Sequence, residues 1–170
     1  MTSDPRLRVP LVIVTALVIH LSVLSRLRVA GVMPDLMLLL AVAGGITGGS
    51  VQGAVIGFVS GMTVDFFLET PLGLSGLVFS VTGYCVGVAQ TGILRSAWWI
   101  PMLTAFVASA AGQLLFAVAG AVVGATPIDT GHLLVVLLVV GVTNALLAPL
   151  ALRLVGWSLA RQARPGVYVA

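Results

Sequence analysis

The chain has no lysine, one cysteine and five acidic residues, and charged residues make up 8% of its 170 positions. A soluble domain carries about 25%. Each scarcity excludes something. With Cys85 alone, no internal disulfide can form. Without lysine, the net charge of +3 comes from eight arginines. These flank apolar runs instead of forming a basic patch, so they read as topology signals and not as a nucleic-acid surface. What the sequence has in quantity is apolar: 59% hydrophobic residues and a mean hydropathy of +1.19. A soluble domain of this length cannot hide that much apolar surface.

Runs such as VPLVIVTALVIHLSVL (9–24) and TGHLLVVLLVVGVTNALLAPLALRLV (130–155) carry almost no charge. They read as membrane spans. The pattern predicts an all-α polytopic helical bundle, a single integral membrane domain over residues 1–170. Its spans fall near 9–25, 35–48, 51–68, 72–94, 98–123 and 132–155, followed by a short cytoplasmic tail at 156–170. Arg6 and Arg8 before an apolar run resemble a signal peptide, but the cleavage site at Val23-Leu24-Ser25 is weak, and a retained first span is expected. Asp35 to Leu68 as one helix would run about 51 Å, too long for a core of about 30 Å. Gly44-Gly45 and Gly48-Gly49-Ser50 offer a turn, so two short spans are expected there, each crossing or forming a re-entrant hairpin.

Six spans with both termini inside put Arg6, Arg8, Arg95, Arg153, Arg161 and Arg164 in the cytoplasm, and Arg26 and Arg28 outside. Five spans with the N-terminus outside satisfy the same rule. Helix length selects six. Trp98, Trp99 and Trp157 then lie at the cytoplasmic interface, and Asp35, Glu69, Asp129 and His132 near the outer surface.

In GSVQGAVIGFVSGMTVDFFLE (49–69), Gly49, Gly53, Gly57 and Gly61 stand four apart, and Asp65 and Glu69 continue the rhythm. In lipid, helices associate where small residues let backbones approach. Gly53, Gly57 and Gly61 predict a shallow groove, broadened by Ala54 and Ser60, that packs this chain's own helices or a partner's. Gly83 and Gly87 repeat the spacing. A carboxylate within a span costs about 2.5–3.5 kcal/mol at the helix centre and less near its end. Asp65 therefore snorkels outward, caps span four, or makes a polar contact inside the bundle or with a partner. Gln113, Ser109, Thr143 and Asn144 are uncharged polar groups of the kind that mostly hydrogen-bond neighbouring helices, and that is the reading expected for Gln113 and Ser109. Met33, Met37 and Met62 read as packing and not as a copper site, since no cysteine or histidine stands at ligand spacing.

Several landmarks fall in order: Pro34-Asp35; Gly53, Gly57, Gly61 and Asp65; Pro71-Leu72-Gly73-Leu74; Gly83-Tyr84 with Gly87; and Asn144-Ala145-Leu146-Leu147-Ala148-Pro149. In length, span number and this order the chain resembles the rod shape-determining protein MreD family of bacteria, best over residues 34–95 and 143–155. The resemblance implies a non-enzymatic subunit of the cell-elongation machinery in the bacterial plasma membrane. It implies an MreC-like partner and, indirectly, an actin-like filament protein and a peptidoglycan polymerase and transpeptidase pair. It also implies a bundle similar to the substrate-binding S-components of energy-coupling-factor vitamin transporters. No catalytic residue, cofactor, metal or nucleic acid is expected. The packing or partner-binding candidates are Asp35, Gly53, Gly57, Gly61, Asp65, Glu69 and Asn144.

Two other functions compete. A small-molecule carrier would converge polar groups in a pocket near the outer surface, drawn from Asp35, Glu69, Asp129 and His132. A rhomboid-like protease would use Ser75 of Gly73-Leu74-Ser75-Gly76 with His132. Against it, no HxxxN stands in span two, and Ser75 is equally suited to satisfy free N–H groups where span four begins.

Overall fold

The computed structural model describes residues 5–24, 31–67, 71–90, 99–124 and 130–159. Six helices account for them. They are α1 (Pro5–Ile19, continued by a π-helical turn His20–Leu24), α2 (Leu36–Gly48), α3 (Ser50–Phe67), α4 (Leu74–Gln90), α5 (Ile100–Val122) and α6 (Thr130–Leu159). Helices two and three are separate, as the length argument requires. The chain reverses at Gly49, whose φ of 85° is open to glycine and strained for other residues. Gly45 then faces Gly53, and Ser60 Oγ reaches the Met37 carbonyl at 3.4 Å, so α2 and α3 form an antiparallel hairpin.

The bundle is apolar outside, and its polar groups are drawn into an otherwise apolar interior. Val51 (70% exposed), Phe66 (71%) and Val122 (82%) point outward, while Ser60, Asp65, Thr82, Ser109 and Asn144 are buried. That arrangement suits a lipid environment, where aliphatic side chains lose nothing by exposure and polar groups must find partners inside. By length and composition α3, α5 and α6 suffice to cross a membrane; α1, α2 and α4 are shorter apolar helices.

The short α2 is the centre of the bundle. It contacts all five other helices. Every residue from Met37 to Ile46 is buried. A helix apolar on every side suits a core position as well as a lipid-facing one. At 13 residues α2 is about 20 Å long, less than the hydrocarbon thickness. Protein surrounds it from Met37 to Ile46, so along that stretch its polar backbone is shielded from lipid whatever its length.

Small residues set how closely its neighbours approach. Gly45, Gly53 and Gly83 meet where α2, α3 and α4 converge. Along α3 the ladder continues against the α4 backbone: a Cβ on Gly57 would overlap the Phe79 carbonyl, and one on Gly61 the Ser75 carbonyl. Gly87 lies equally close to the Ser50 backbone. The α3–α4 interface is the most extensive in the molecule. The groove that the glycine spacing predicts is thus filled by this chain's own α4.

The neighbour at each rung is backbone and cannot swing aside, so even one methyl is resisted. Gly57→Ala should lower thermal stability in detergent by about 1–3 kcal/mol, the usual scale of overpacking. Gly57→Leu should deplete the protein from membranes. Wild-type melting of Gly57→Ala would contradict this packing.

Candidate functional site

Pro34-Asp35 leads into α2, and a helix start needs acceptors for its free N–H groups. Asp35 supplies one: the Leu38 N–H donates to its Oδ1 at 3.0 Å. Its second oxygen accepts from Gln113 Nε2 of α5 at 3.0 Å, and its backbone carbonyl accepts from Asn144 Nδ2 of α6 at 3.0 Å. Asn144 Nδ2 also donates to Ser109 Oγ at 2.9 Å. One short segment before α2 therefore gathers α5 and α6. Asn144 is fully buried, and its Oδ1 has no hydrogen-bond partner among the described residues.

Beside this network lies a partly open recess of about 260 Å³. Its polar lining comes from His20, Asp35, Ser75 and Gln113, and its apolar lining includes Val32, Phe79 and Phe116. His20 sits in the π-helical turn that ends α1, close enough to Asp35 for electrostatic interaction. Its Nδ1 is buried and has no hydrogen-bond partner among the described residues. Sequence reasoning missed His20, although a histidine inside an otherwise apolar run is a signal in its own right. π-Helical turns also recur at functional sites.

Asp65 sits elsewhere in the network of helix ends. It is 3% exposed, and its Oδ2 accepts from the N–H groups of Gly73 (2.9 Å), Ser75 (3.1 Å) and Gly76 (3.4 Å). These are the free donors where α4 begins, so Asp65 caps α4 from the neighbouring helix. That is the capping alternative, and it replaces Ser75 in the role expected of it. A negative charge also suits the positive end of the α4 dipole. Gly73, with φ of 91°, lets the chain double back onto that carboxylate.

The remaining candidates divide. Gly53, Gly57 and Gly61 line the α3–α4 interface and are closed off by α4. Glu69 and Asp129 lie outside the described residues. His132 is exposed in the first turn of α6 and does not line the recess, whereas Ser75 does and is buried. The serine and histidine of the protease reading are not brought together. Among the described residues no three histidine, cysteine or acidic groups cluster as a metal site.

If Asp65 is a cap, substitutions should follow its accepting capacity. Asp65→Ala strands three N–H groups, those of Ser75 and Gly76 buried, and should cost about 1–3 kcal/mol or more in thermal stability. Asp65→Asn keeps an accepting oxygen and should cost less. Ser75→Ala should change melting little. Equal melting of Asp65→Ala and wild type would refute the cap.

A family model described as rod shape-determining protein MreD matches residues 5–129, from α1 through α5. The Asn144-Ala145-Leu146-Leu147-Ala148-Pro149 segment in α6 lies beyond the matched region. Comparison with curated proteins and with solved structures gives no match. The match covers well over half of the chain, and the outward-facing apolar helices agree with a bacterial membrane protein that acts in cell shape. The chain belongs to the rod shape-determining protein MreD family.

Proposed function

We propose that the protein is a non-enzymatic membrane subunit of the cell-elongation complex, acting by contact with an MreC-like membrane protein. Through that partner it would serve the actin-like filament and the peptidoglycan polymerase and transpeptidase. The observation that carries the reading is the filled interior of a family member. α2 occupies the bundle axis and the glycine ladder is closed by α4, and the exterior is apolar, with the recess beside Asp35 of modest size. Such an object works by being touched.

Of the partner-binding candidates, Asp35 has the best access to a partner, because it lines a partly open recess. Gly53, Gly57, Gly61 and Asp65 are engaged within the bundle. Asn144 joins α2 to α5 and α6 and supports the floor beneath Asp35.

The start of α1 and the end of α6 lie together, since the Arg8 guanidinium stacks 4.6 Å from the centre of the Trp157 ring. That pairing supports an even number of crossings. With the arginine distribution it favours both termini in the cytoplasm, the recess then facing outward.

A carrier is the second reading, and the recess is what favours it. At about 260 Å³ it falls below the common range for ligand pockets, about 300–1,000 Å³.

Two experiments test these readings. Asp35→Asn retains the cap, since asparagine caps as well as aspartate, but removes the charge. Abundance should hold, while a tagged chain should recover less of the MreC-like partner than wild type does. Equal recovery would remove Asp35 from the interface. In a Cys85→Ser background, a membrane-impermeant thiol reagent on intact cells should label Asp129→Cys and spare Ser3→Cys. The opposite result would overturn the orientation.

A further inference from the structure

A second cavity, of about 250 Å³, opens between α1, α2 and α6. Its walls are almost wholly aliphatic. Leu11, Thr15 and Ile19 of α1 form one side, and Leu150, Leu154 and Trp157 of α6 the other. Thr15 turns its hydroxyl away from the groove chemistry by donating to the Leu11 carbonyl at 2.8 Å. Arg8 lies over Trp157 at one end of this groove. Its side chain is only partly exposed, and its Nε is buried with no hydrogen-bond partner among the described residues.

Length and charge together select an occupant. Leu11 to Ile19 is nine residues, eight helical steps, a rise of about 12 Å. That is near half of a hydrocarbon core of about 30 Å, the depth of one leaflet. A partner's transmembrane helix would need a seat through both leaflets. A single acyl chain needs a seat through one. At the mouth, the partly exposed guanidinium of Arg8 matches a phosphate, which accepts hydrogen bonds from guanidinium groups strongly. The indole beneath it belongs at the same headgroup level.

We infer that the α1–α6 groove is a binding site for an acidic phospholipid, one acyl chain lying between Leu11, Ile19 and Leu154 and the phosphate on Arg8. The site is separate from the Asp35 recess and does not depend on which partner the protein meets. Its effect on the fold is to fasten α1, which otherwise has far less contact with the bundle than α3 has with α4.

Native mass spectrometry of the full chain, exchanged through detergent and offered phosphatidylglycerol or phosphatidylcholine, tests this directly. Wild type should retain one phosphatidylglycerol in preference to phosphatidylcholine. Arg8→Gln should weaken that retention about tenfold, the scale of one charge-assisted hydrogen bond. Thr15→Phe, which fills the groove from its exposed rim, should weaken both lipids. Arg153→Gln removes an exposed arginine of α6 that does not line the groove and should change nothing. Equal retention by wild type and Arg8→Gln, or equal loss with Arg153→Gln, would overturn the assignment. A photocrosslinker at position 15 in cell membranes should yield lipid adducts. A protein adduct in their place would assign the groove to a partner helix and overturn it as well.

Discussion

The structure depends on close backbone contact among α2, α3 and α4. In lipid, burying an aliphatic side chain yields no hydrophobic gain, because the tails outside are equally apolar. Cohesion must come from dispersion and from polar contacts, and both fall off steeply with distance. Glycine at positions 45, 53, 57, 61 and 83 removes the atoms that would hold these helices apart. Backbone then lies on backbone, in the geometry where Cα–H···O contacts also form. Everything else is arranged around that seam: α5 and α6 close over α2, and α1 rests on the side of α2 and α6.

Polar residues add direction to a contact that is otherwise a fit of surfaces. Asp35 and Asp65 each take up the free donors of a helix start, one for its own helix and one for the next helix along. Backbone N–H groups donate to both carboxylates, and the Gln113 amide donates to Asp35 as well. Dispersion in the seam and hydrogen bonds at the helix ends thus divide the work. The seam sets how near the helices lie, and the carboxylates fix their order and register.

Much of the fold was legible because hydropathy and glycine punctuation are local. The expected 35–48, 51–68 and 98–123 became Leu36–Gly48, Ser50–Phe67 and Ile100–Val122, and the turn fell at Gly49. The last span was expected at 132–155 and runs Thr130–Leu159, since a helix continues beyond its most apolar stretch. The central position of α2 was not legible. LMLLLAVAGGI reads the same against lipid as against protein, and only the packing of distant helices distinguishes the two. The site was half visible. Asp35 and Asn144 stood out as polar groups in apolar runs, but their direct hydrogen bond, and those they make with Gln113 and Ser109, join helices far apart in sequence. His20 escaped notice because one imidazole barely alters the hydropathy of its run.

The enclosure of α2 bears on biosynthesis. α2 emerges from the ribosome after α1 and before the four other helices that will surround it. It must enter the bilayer as a 13-residue apolar segment whose final neighbours do not yet exist. The hairpin with α3 is the first shelter available, since the two are joined through Gly49 alone. α4 follows and completes the glycine seam from segments adjacent in sequence. α6 arrives last and carries Asn144 to the Asp35 carbonyl. The order of synthesis is therefore an order of closure, from the seam outward. Only the finished chain hides α2 from the membrane into which it was inserted.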